Sequence, residues 1–223
     1  MKTCVIIPAF NVARTIYDVI ISAKKITPSI IVIDDGSKDK TADIAKGTDV
    51  KVITHKNNLG KGAALKDGFL YAINNHYDAV ITLDGDGQHD AEDIHKLLSL
   101  SSEADIIIGS RMGDTRLMPK PMLLTNIFLS SLTSFFAKQK IYDSQSGLRL
   151  IKSSVLKKVS LKHNHYEAET EQLIKAGKLG FIIKEVPIKT IYHKKSVRST
   201  VIIDTWRFIK LFLSPSLYFY QKS

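Results

Sequence analysis

Short apolar runs alternate with amphipathic segments along the first half of the chain. Between the apolar runs lie four segments whose apolar residues recur every three or four positions, as in helices: Ala13–Ile26, Thr41–Lys46, Gly62–Asn75 and Ala91–Ser101. The runs themselves have the length and continuity of buried strands: Cys4–Ile7, Ile30–Ile33, Val50–Thr54, Ala79–Leu83 and Asp105–Gly109. This alternation predicts an α/β fold with a mostly parallel, doubly wound sheet and helices on both faces.

Polar residues follow three of these strands directly. Ligands of doubly wound sheets bind beyond the carboxyl ends of the strands, so these residues are expected to share one edge of the sheet. The three polar segments are Pro8-Ala9-Phe10-Asn11, Asp34-Asp35-Gly36-Ser37 and Asp84-Gly85-Asp86.

The last of these segments is a candidate metal site. Asp84 and Asp86 are one residue apart, and Gly85 and Gly87 permit a turn that directs both carboxylates to one place. Such hard oxygen ligands suit Mg²⁺ or Mn²⁺, which complete their coordination with water and phosphate oxygens. The alternative interpretation of an Asp-Gly-Asp segment alone is a solvated turn.

Other polar residues are candidates for binding a nucleotide. Asp35 is placed to accept hydrogen bonds from a nucleobase imide or from ribose hydroxyls. Lys61 lies at the start of a predicted helix, where backbone N–H groups favour an anion. Arg111 follows a predicted strand, and its planar guanidinium group can bind a diphosphate through two hydrogen bonds. A plain turn and a surface ion pair are the alternatives for Lys61 and Arg111. Acidic residues in a first helical turn, such as Glu167 and Glu171, are already favoured by the helix dipole.

The charge of the chain is concentrated near its end. The formal net charge is +10. Residues 1–150 contain 18 Lys or Arg and 17 Asp or Glu, whereas residues 151–223 contain 14 and 5. A basic segment attracts nucleic acid, anionic lipid or a phosphorylated substrate. The sequence has no nucleic-acid-binding signature, so we expect no nucleic-acid partner. No feature indicates an oligomeric state.

The compartment is predicted from the cysteine content and the N-terminus. A single cysteine, Cys4, excludes an internal disulfide and fits a reducing compartment. The apolar segment at the N-terminus is too short for a signal peptide, which predicts a cytoplasmic protein.

Two further stretches are amphipathic. Pro121–Ala137 and Thr205–Tyr220 are rich in large apolar residues, but polar or charged residues interrupt both. They are predicted to lie at an interface rather than to span a membrane. Packing against the core and contact with lipid both remain open. We expect a domain over residues 1–200, followed by an amphipathic, membrane-associated segment over 201–223.

The motifs taken together resemble those of the family-2, GT-A-type glycosyltransferases. Within that family the chain is most similar to the polyprenyl-phosphate sugar synthases, the dolichyl-phosphate mannose synthase group and its bacterial relatives. The resemblance covers roughly residues 3–212 and is carried by Ile6–Asn11, Val32–Ser37, Asn58–Gly62, Leu83–His89, Gly109–Arg111, Asp143–Arg149 and Glu185–Ile188.

The resemblance implies roles for individual residues. The metal would be held on the donor diphosphate by Asp84 and Asp86, with Gln88 as a further ligand. The segment Asp143–Arg149 would lie beside the acceptor. Donor phosphates would be contacted by Arg111 and by a late basic loop that contains Lys195 and Arg198. The nucleotide would be lined by Pro8, Ala9, Phe10, Asn11 and Asp35.

The implied activity is an inverting sugar transfer from a GDP- or UDP-linked sugar to a polyprenyl phosphate at the inner face of the membrane. An ionised phosphate needs no dedicated general base, whereas a sugar hydroxyl acceptor would need one, with Asp143 as first candidate. A binding module without turnover is an alternative. A nucleotidyltransferase is disfavoured, because its glycine-rich loop is expected where this chain has Pro8–Asn11.

Overall fold

A computed structural model describes residues 1–189, 191, 201–214 and 217, with side chains in the last helix from Arg207 onward. The strands are β1 (Thr3–Ala9), β2 (Ile30–Asp34), β3 (Lys51–Thr54), β4 (Ala79–Thr82), β5 (Ile106–Ser110), β6 (Arg149–Lys152) and β7 (Ile183–Pro187). The helices are α1 (Ile16–Lys24), α2 (Thr41–Lys46), α3 (Lys61–Asn74), α4 (Ile94–Ser99), α5 (Lys120–Ala137), α6 (Ser153–Lys158), α7 (Glu167–Lys178) and α8 (Val201–Leu213).

The strands form one seven-stranded sheet in the order β3-β2-β1-β4-β6-β5-β7. Strand β6 is antiparallel to β4 and β5, and the other pairings are parallel. This confirms the mostly parallel, doubly wound sheet. The sequence did not predict β6, because its two apolar residues, Leu150 and Ile151, are too few for a strand signal. Its place depends on pairing with strands more than 40 residues away.

Helices cover both faces of the sheet, as predicted. Alternate side chains of β1 point to opposite faces, so Val5 and Ile7 join one core with α1, α2 and α4. Cys4 and Ile6 join a second core with α3, α6 and α7. The loops that follow the central strands are therefore held by a part of the sheet that is buried on both faces.

The first helix begins later than predicted. Helix α1 starts at Ile16 rather than Ala13. The backbone N–H groups of Val12 and Ala13 instead donate to Thr41 Oγ1 at 2.8 Å and Asp39 Oδ2 at 3.1 Å. These bonds tie the loop after β1 to the loop after β2.

Helix α5 presents its apolar residues outward. Its polar residues Asn126 and Ser130 are buried, whereas Leu124, Phe128 and Phe135 are 67 %, 63 % and 77 % exposed. These polar side chains point inward because Asn126 bonds to Asp143 and Ser130 bonds to Ser144, in the loop that follows the helix. Among the residues that the structure describes, no helix is long and apolar enough to span a bilayer.

Helix α8 packs against the domain. Phe208, Leu211 and Phe212 are buried against a small core that includes Leu129 of α5 and Ile174 of α7. Of the two alternatives for this stretch, the structure supports core packing for these side chains. The division of the chain at residue 200 stays a prediction.

Candidate active site

The loops after β1 and β2 meet at the carboxyl edge of the sheet. Pro8 and Ala9 belong to β1 and are buried, whereas Phe10 is partly exposed at the edge. Asn11 adopts a left-handed conformation with φ of +53°. Its N–H donates to Ser37 Oγ at 2.9 Å, and its Oδ1 accepts from the N–H of Lys38 at 2.8 Å. Of the four predicted nucleotide contacts in this loop, Phe10 and Asn11 are therefore exposed, whereas Pro8 and Ala9 are buried.

Asp35 organises the loop between β3 and α3. Its Oδ1 accepts from His55 Nδ1 at 2.7 Å and from the N–H of Leu59 at 2.8 Å. Its Oδ2 accepts from Asn58 Nδ2 at 2.9 Å and from the N–H of Gly60 at 2.8 Å. The predicted contact with a nucleobase would have to displace one of these bonds, because a carboxylate has about four acceptor positions.

His55 joins Asp35 to helix α3. Its Nδ1 contacts Asp35, and its Nε2 lies 2.9 Å from Asp67 Oδ2. Burial lowers the pKa of His55, but the hydrogen bonds and charges of the two carboxylates outweigh it and raise the pKa above 6.5. The His55 ring, which contacts a carboxylate through each of its nitrogens, therefore braces the loop between β3 and α3. No sequence motif singles out His55, because its two carboxylate partners lie 20 and 12 residues away.

Asp84 lies at the centre of the predicted metal site. Lys61 Nζ is 2.7 Å from Asp84 Oδ1 and 2.8 Å from Glu169 Oε2. A Cβ atom added at Gly147 would lie 2.2 Å from Asp84 Oδ2, so the glycine allows this carboxylate to rest against the backbone. The site therefore combines Asp84 with residues from α3, α7 and the loop before β6.

Lys61 is a largely enclosed cation held by two anions. Burial lowers the pKa of Lys61, but Asp84 and Glu169 outweigh it and raise the pKa above 10.5. The second oxygen of Glu169, Oε1, is buried and has no hydrogen-bond partner among the described residues. Tertiary contact alone identifies Glu169, since its sequence position indicates only an acidic first helical turn.

Asp86 is bonded to the loop that follows it. Its Oδ1 accepts from the N–H of Gln88 at 3.1 Å, and its Oδ2 accepts from Gln88 Nε2 at 2.9 Å. Gly85 packs beside the carbonyl of Pro8 and the side chain of Val12, which leaves little room for a side chain at this turn. The predicted ligands Asp84, Asp86 and Gln88 thus lie in one short loop.

The donor set fits a divalent cation that is shared with a substrate. In the parts of the chain that the structure describes, no group of three His, Cys, Asp or Glu side chains could hold a metal ion. Mg²⁺ commonly binds through one or two carboxylates together with substrate phosphates. The ammonium group of Lys61 occupies a cation position on Asp84. Asp84 and Asp86 supply the hard carboxylate oxygens that Mg²⁺ and Mn²⁺ prefer, so the residues present fit such an ion.

His89 adds a neutral group to this site. Its Nε2 lies 4.0 Å from Asp84 Oδ2, and its Nδ1 is buried with no partner in the described chain. Burial lowers the pKa of His89 to about 4, although the Asp84 carboxylate opposes the shift. The imidazole is therefore uncharged at neutral pH.

Arg111 and Asp143 form a buried pair. Arg111 donates through Nε to Asp143 Oδ2 and through a terminal nitrogen to Oδ1, both at 2.8 Å. Asn126 Nδ2 of α5 also donates to Oδ1 at 2.8 Å. Burial raises the pKa of Asp143, but the hydrogen bonds and charge of Arg111 outweigh it and lower the pKa. A buried carboxylate with a lowered pKa is a poor proton acceptor, which argues against Asp143 as a general base.

Arg149 organises the loop that approaches Asp84. The guanidinium is fully enclosed and donates to the carbonyls of Ser144, Ser146 and Glu169 at 2.8, 2.8 and 2.9 Å. It therefore joins the segment after Asp143 to helix α7. The predicted phosphate contacts Lys195 and Arg198 lie outside the described residues.

Comparison with known proteins identifies the family. Residues 4–160 match the family described as "Glycosyl transferase family 2". An uncharacterized protein of Methanocaldococcus jannaschii is 39 % identical, over 92 % of this chain and 88 % of its own length. The "UDP-N-acetylglucosamine--dolichyl-phosphate N-acetylglucosaminyltransferase" of Methanococcus voltae is 35 % identical, over 86 % of each chain. The "Polyprenol monophosphomannose synthase" of Mycolicibacterium smegmatis is 30 % identical, over 84 % and 76 %.

A solved structure shares the fold. The glucosyl-3-phosphoglycerate synthase of Mycobacterium tuberculosis, in complex with Mn²⁺, UDP and phosphoglyceric acid, superposes with a TM-score of 0.75 at 19 % identity. The superposition covers 100 % of this chain and 80 % of that chain. The predicted GT-A fold is confirmed, and the chain belongs to the family-2 glycosyltransferases.

Proposed function

We propose that this enzyme transfers a sugar, with inversion, from a nucleotide-diphospho-sugar to a polyprenyl phosphate at the cytoplasmic face of a membrane. The observation that carries the proposal has two parts. Two carboxylates, Asp84 and Asp86, follow a strand at the edge of the sheet, and helix α5 exposes large apolar side chains. The names of the relatives from M. voltae and M. smegmatis, which refer to dolichyl phosphate and polyprenol, support this acceptor class.

The proposed donor side of the site contains both carboxylates and basic side chains. Asp84 and Asp86 would hold Mg²⁺ or Mn²⁺, which would supply charge stabilisation to the departing diphosphate. Lys61 contacts Asp84 at 2.7 Å, and the buried Arg111 follows β5 at the same edge of the sheet. Electrostatic interactions are stronger in such enclosed surroundings than in water. Such a cluster suits a reaction in which negative charge develops on a nucleoside diphosphate.

The acceptor side argues for a phosphate rather than a hydroxyl. A phosphate oxygen is already ionised near neutral pH and attacks without losing a proton. A hydroxyl needs a general base, and neither Asp143 nor Lys61 is suited to that role. Asp143 is paired with Arg111, and Lys61 is held as a cation.

The location at a membrane is supported by α5. Leu124, Phe128 and Phe135 present apolar surface to the outside, although soluble domains normally bury such helix faces. The opposite face of the helix is bonded through Asn126 to Asp143. A lipid contact on α5 would therefore lie one helix thickness from the proposed acceptor site.

A product assay tests the activity. The purified chain is incubated with Mn²⁺, a short polyprenyl phosphate and a panel of UDP- and GDP-linked sugars, and products are resolved by mass spectrometry. We expect one or a few donors to yield a glycosylated lipid phosphate. Asp84→Asn should abolish the metal-dependent product, whereas Asp49→Asn, on a surface turn, should retain it. Sugar that is transferred only to water-soluble products would refute the lipid acceptor.

A vesicle assay tests the location. Phe128→Ser combined with Phe135→Ser should weaken partition into phosphatidylglycerol-containing vesicles by at least about tenfold, since each aromatic ring loses apolar burial. Leu70→Ser is the matched control, because Leu70 is also exposed but lies on α3. Equal partition of all three proteins would refute α5 as the lipid contact.

A further inference from the structure

Lys61 forms an ion pair with Oδ1 of Asp84, which is a proposed metal ligand. We propose that Glu169 is a positioning residue, which takes the Lys61 ammonium from Asp84 when the metal binds. The inference rests on the donor and metal of the proposed function, and it concerns how this chain prepares the site for them.

Lys61 and a metal cannot share the same oxygen of Asp84. The ammonium lies 2.7 Å from Oδ1, and Mg²⁺ needs a ligand distance of about 2.1 Å with its own hydration shell. Two cations this close repel strongly in buried surroundings. Metal binding at Oδ1 therefore requires Lys61 to move. In the metal-free enzyme the Lys61 ammonium neutralises the Asp84 carboxylate.

Glu169 is built to receive the displaced ammonium. Its Oε2 already contacts Lys61 at 2.8 Å, while its Oε1 is buried and lacks a hydrogen-bond partner among the described residues. A buried acceptor without a partner is unfavourable, and an ammonium has three donors to offer. A small rotation of Lys61 toward Oε1 would satisfy this oxygen and expose Asp84.

The surroundings keep Glu169 in place during this exchange. Its backbone carbonyl accepts from a terminal nitrogen of the enclosed Arg149 at 2.9 Å. The ring of Tyr166 lies 5.8 Å from Lys61 Nζ and offers a further surface for the cation. Lys61 would thus remain beside the diphosphate rather than move into solvent.

Metal affinity tests the inference without any sugar transfer. Mn²⁺ binding to the nucleotide-free enzyme is measured by electron paramagnetic resonance of the unbound ion. We expect Lys61→Met to bind Mn²⁺ at least about tenfold more tightly than the unmodified chain, because the competing cation is gone. Lys66→Met is the matched control: it removes a positive charge from the same helix, where Nζ contacts Asn164 Oδ1 rather than Asp84, and should change the affinity by less than about twofold.

A double-mutant cycle separates positioning from general electrostatics. Glu169→Gln should weaken Mn²⁺ binding at least about fivefold, because Lys61 then has Asp84 as its remaining carboxylate. The same substitution in the Lys61→Met background should have less than about a twofold effect. An equal loss in both backgrounds would mean that Glu169 acts only as a distant negative charge, and would overturn the inference.

Two other results would also overturn it. One is a Lys61→Met protein that binds Mn²⁺ no more tightly than the unmodified chain. The other is an absence of binding to either protein at millimolar Mn²⁺. Lys61→Gln replaces Lys61→Met if thermal melting shows that the methionine variant is unfolded. Failure of the transfer assay with the affinities as expected would refute the proposed function alone.

Discussion

The buried pair between Glu171 and Lys175 allows a quantitative test of how the site is supported. Both side chains are fully buried, and Lys175 Nζ contacts Glu171 Oε1. The carboxylate also accepts from the N–H groups of Lys162 and His163 and from His163 Nδ1. This pair thus anchors the loop that leads to α7, and therefore to Glu169.

The magnitude follows from the pKa of Glu171. Burial raises this pKa, but the hydrogen bonds from His163 and Lys175 outweigh it and lower the pKa from 4.5 to about 2. That change corresponds to about 3 kcal/mol of folding free energy at neutral pH. The folded-state pKa is depressed, so this contribution is present above pH 4.5 and is lost as the pH falls toward 2.

Glu171→Gln should lower the free energy of unfolding at pH 7 by about 3–5 kcal/mol, because it also leaves the Lys175 ammonium buried without its charge partner. Urea denaturation with an unchanged m-value measures this loss. The variant should also show a flatter dependence of stability on pH between 2 and 4.5. Combining Glu171→Leu with Lys175→Met should recover most of the stability, since an apolar pair replaces the ionic one.

An exposed ion pair provides the control. Glu103 and Lys184 are close to each other, and their side chains are 50 % and 43 % exposed. Glu103→Gln should cost less than about 1 kcal/mol, as is usual for surface pairs. If Glu171→Gln costs no more than Glu103→Gln, the reasoning from burial is refuted.

Three further predictions concern the active site. His55 has a raised folded-state pKa, so its stabilising contribution is full below pH 6.5 and is lost as the pH rises above that value; His55→Gln should remove this dependence from thermal melting scans between pH 6 and 9. Asp143→Asn should weaken binding of nucleoside diphosphate by releasing Arg111, without removing a basic limb from the pH profile of kcat. Gly147→Ala should reduce metal-dependent turnover by about 100-fold by displacing Asp84, because its Cβ would lie 2.2 Å from that carboxylate; full turnover would contradict the assignment of Asp84.

Local sequence patterns determined most of the sheet and the position of its polar edge. The five predicted strands of the first half occur within one or two residues of their expected bounds. Continuous apolar runs fit β1, β2, β4 and β5, which are buried on both faces. The loop from Asp84 to Gln88 could be identified for a related reason. Two acids and two glycines at the end of an apolar strand have few structural explanations, and they lie within five residues.

Contacts between distant segments decided the rest of the site. Glu169 and Lys61 are more than 100 residues apart in the sequence, and Asp143 and Arg111 are 32 apart. A local hydrophobic pattern therefore predicts neither pair. The exposure of Phe128 also depends on a contact between distant segments. The apolar pattern of α5 identifies a helix with an apolar face, but the inward bond from Asn126 to Asp143 sets which face points outward. Local propensity acts over a few residues, whereas charge pairing and burial depend on distances that exist only after the chain has folded.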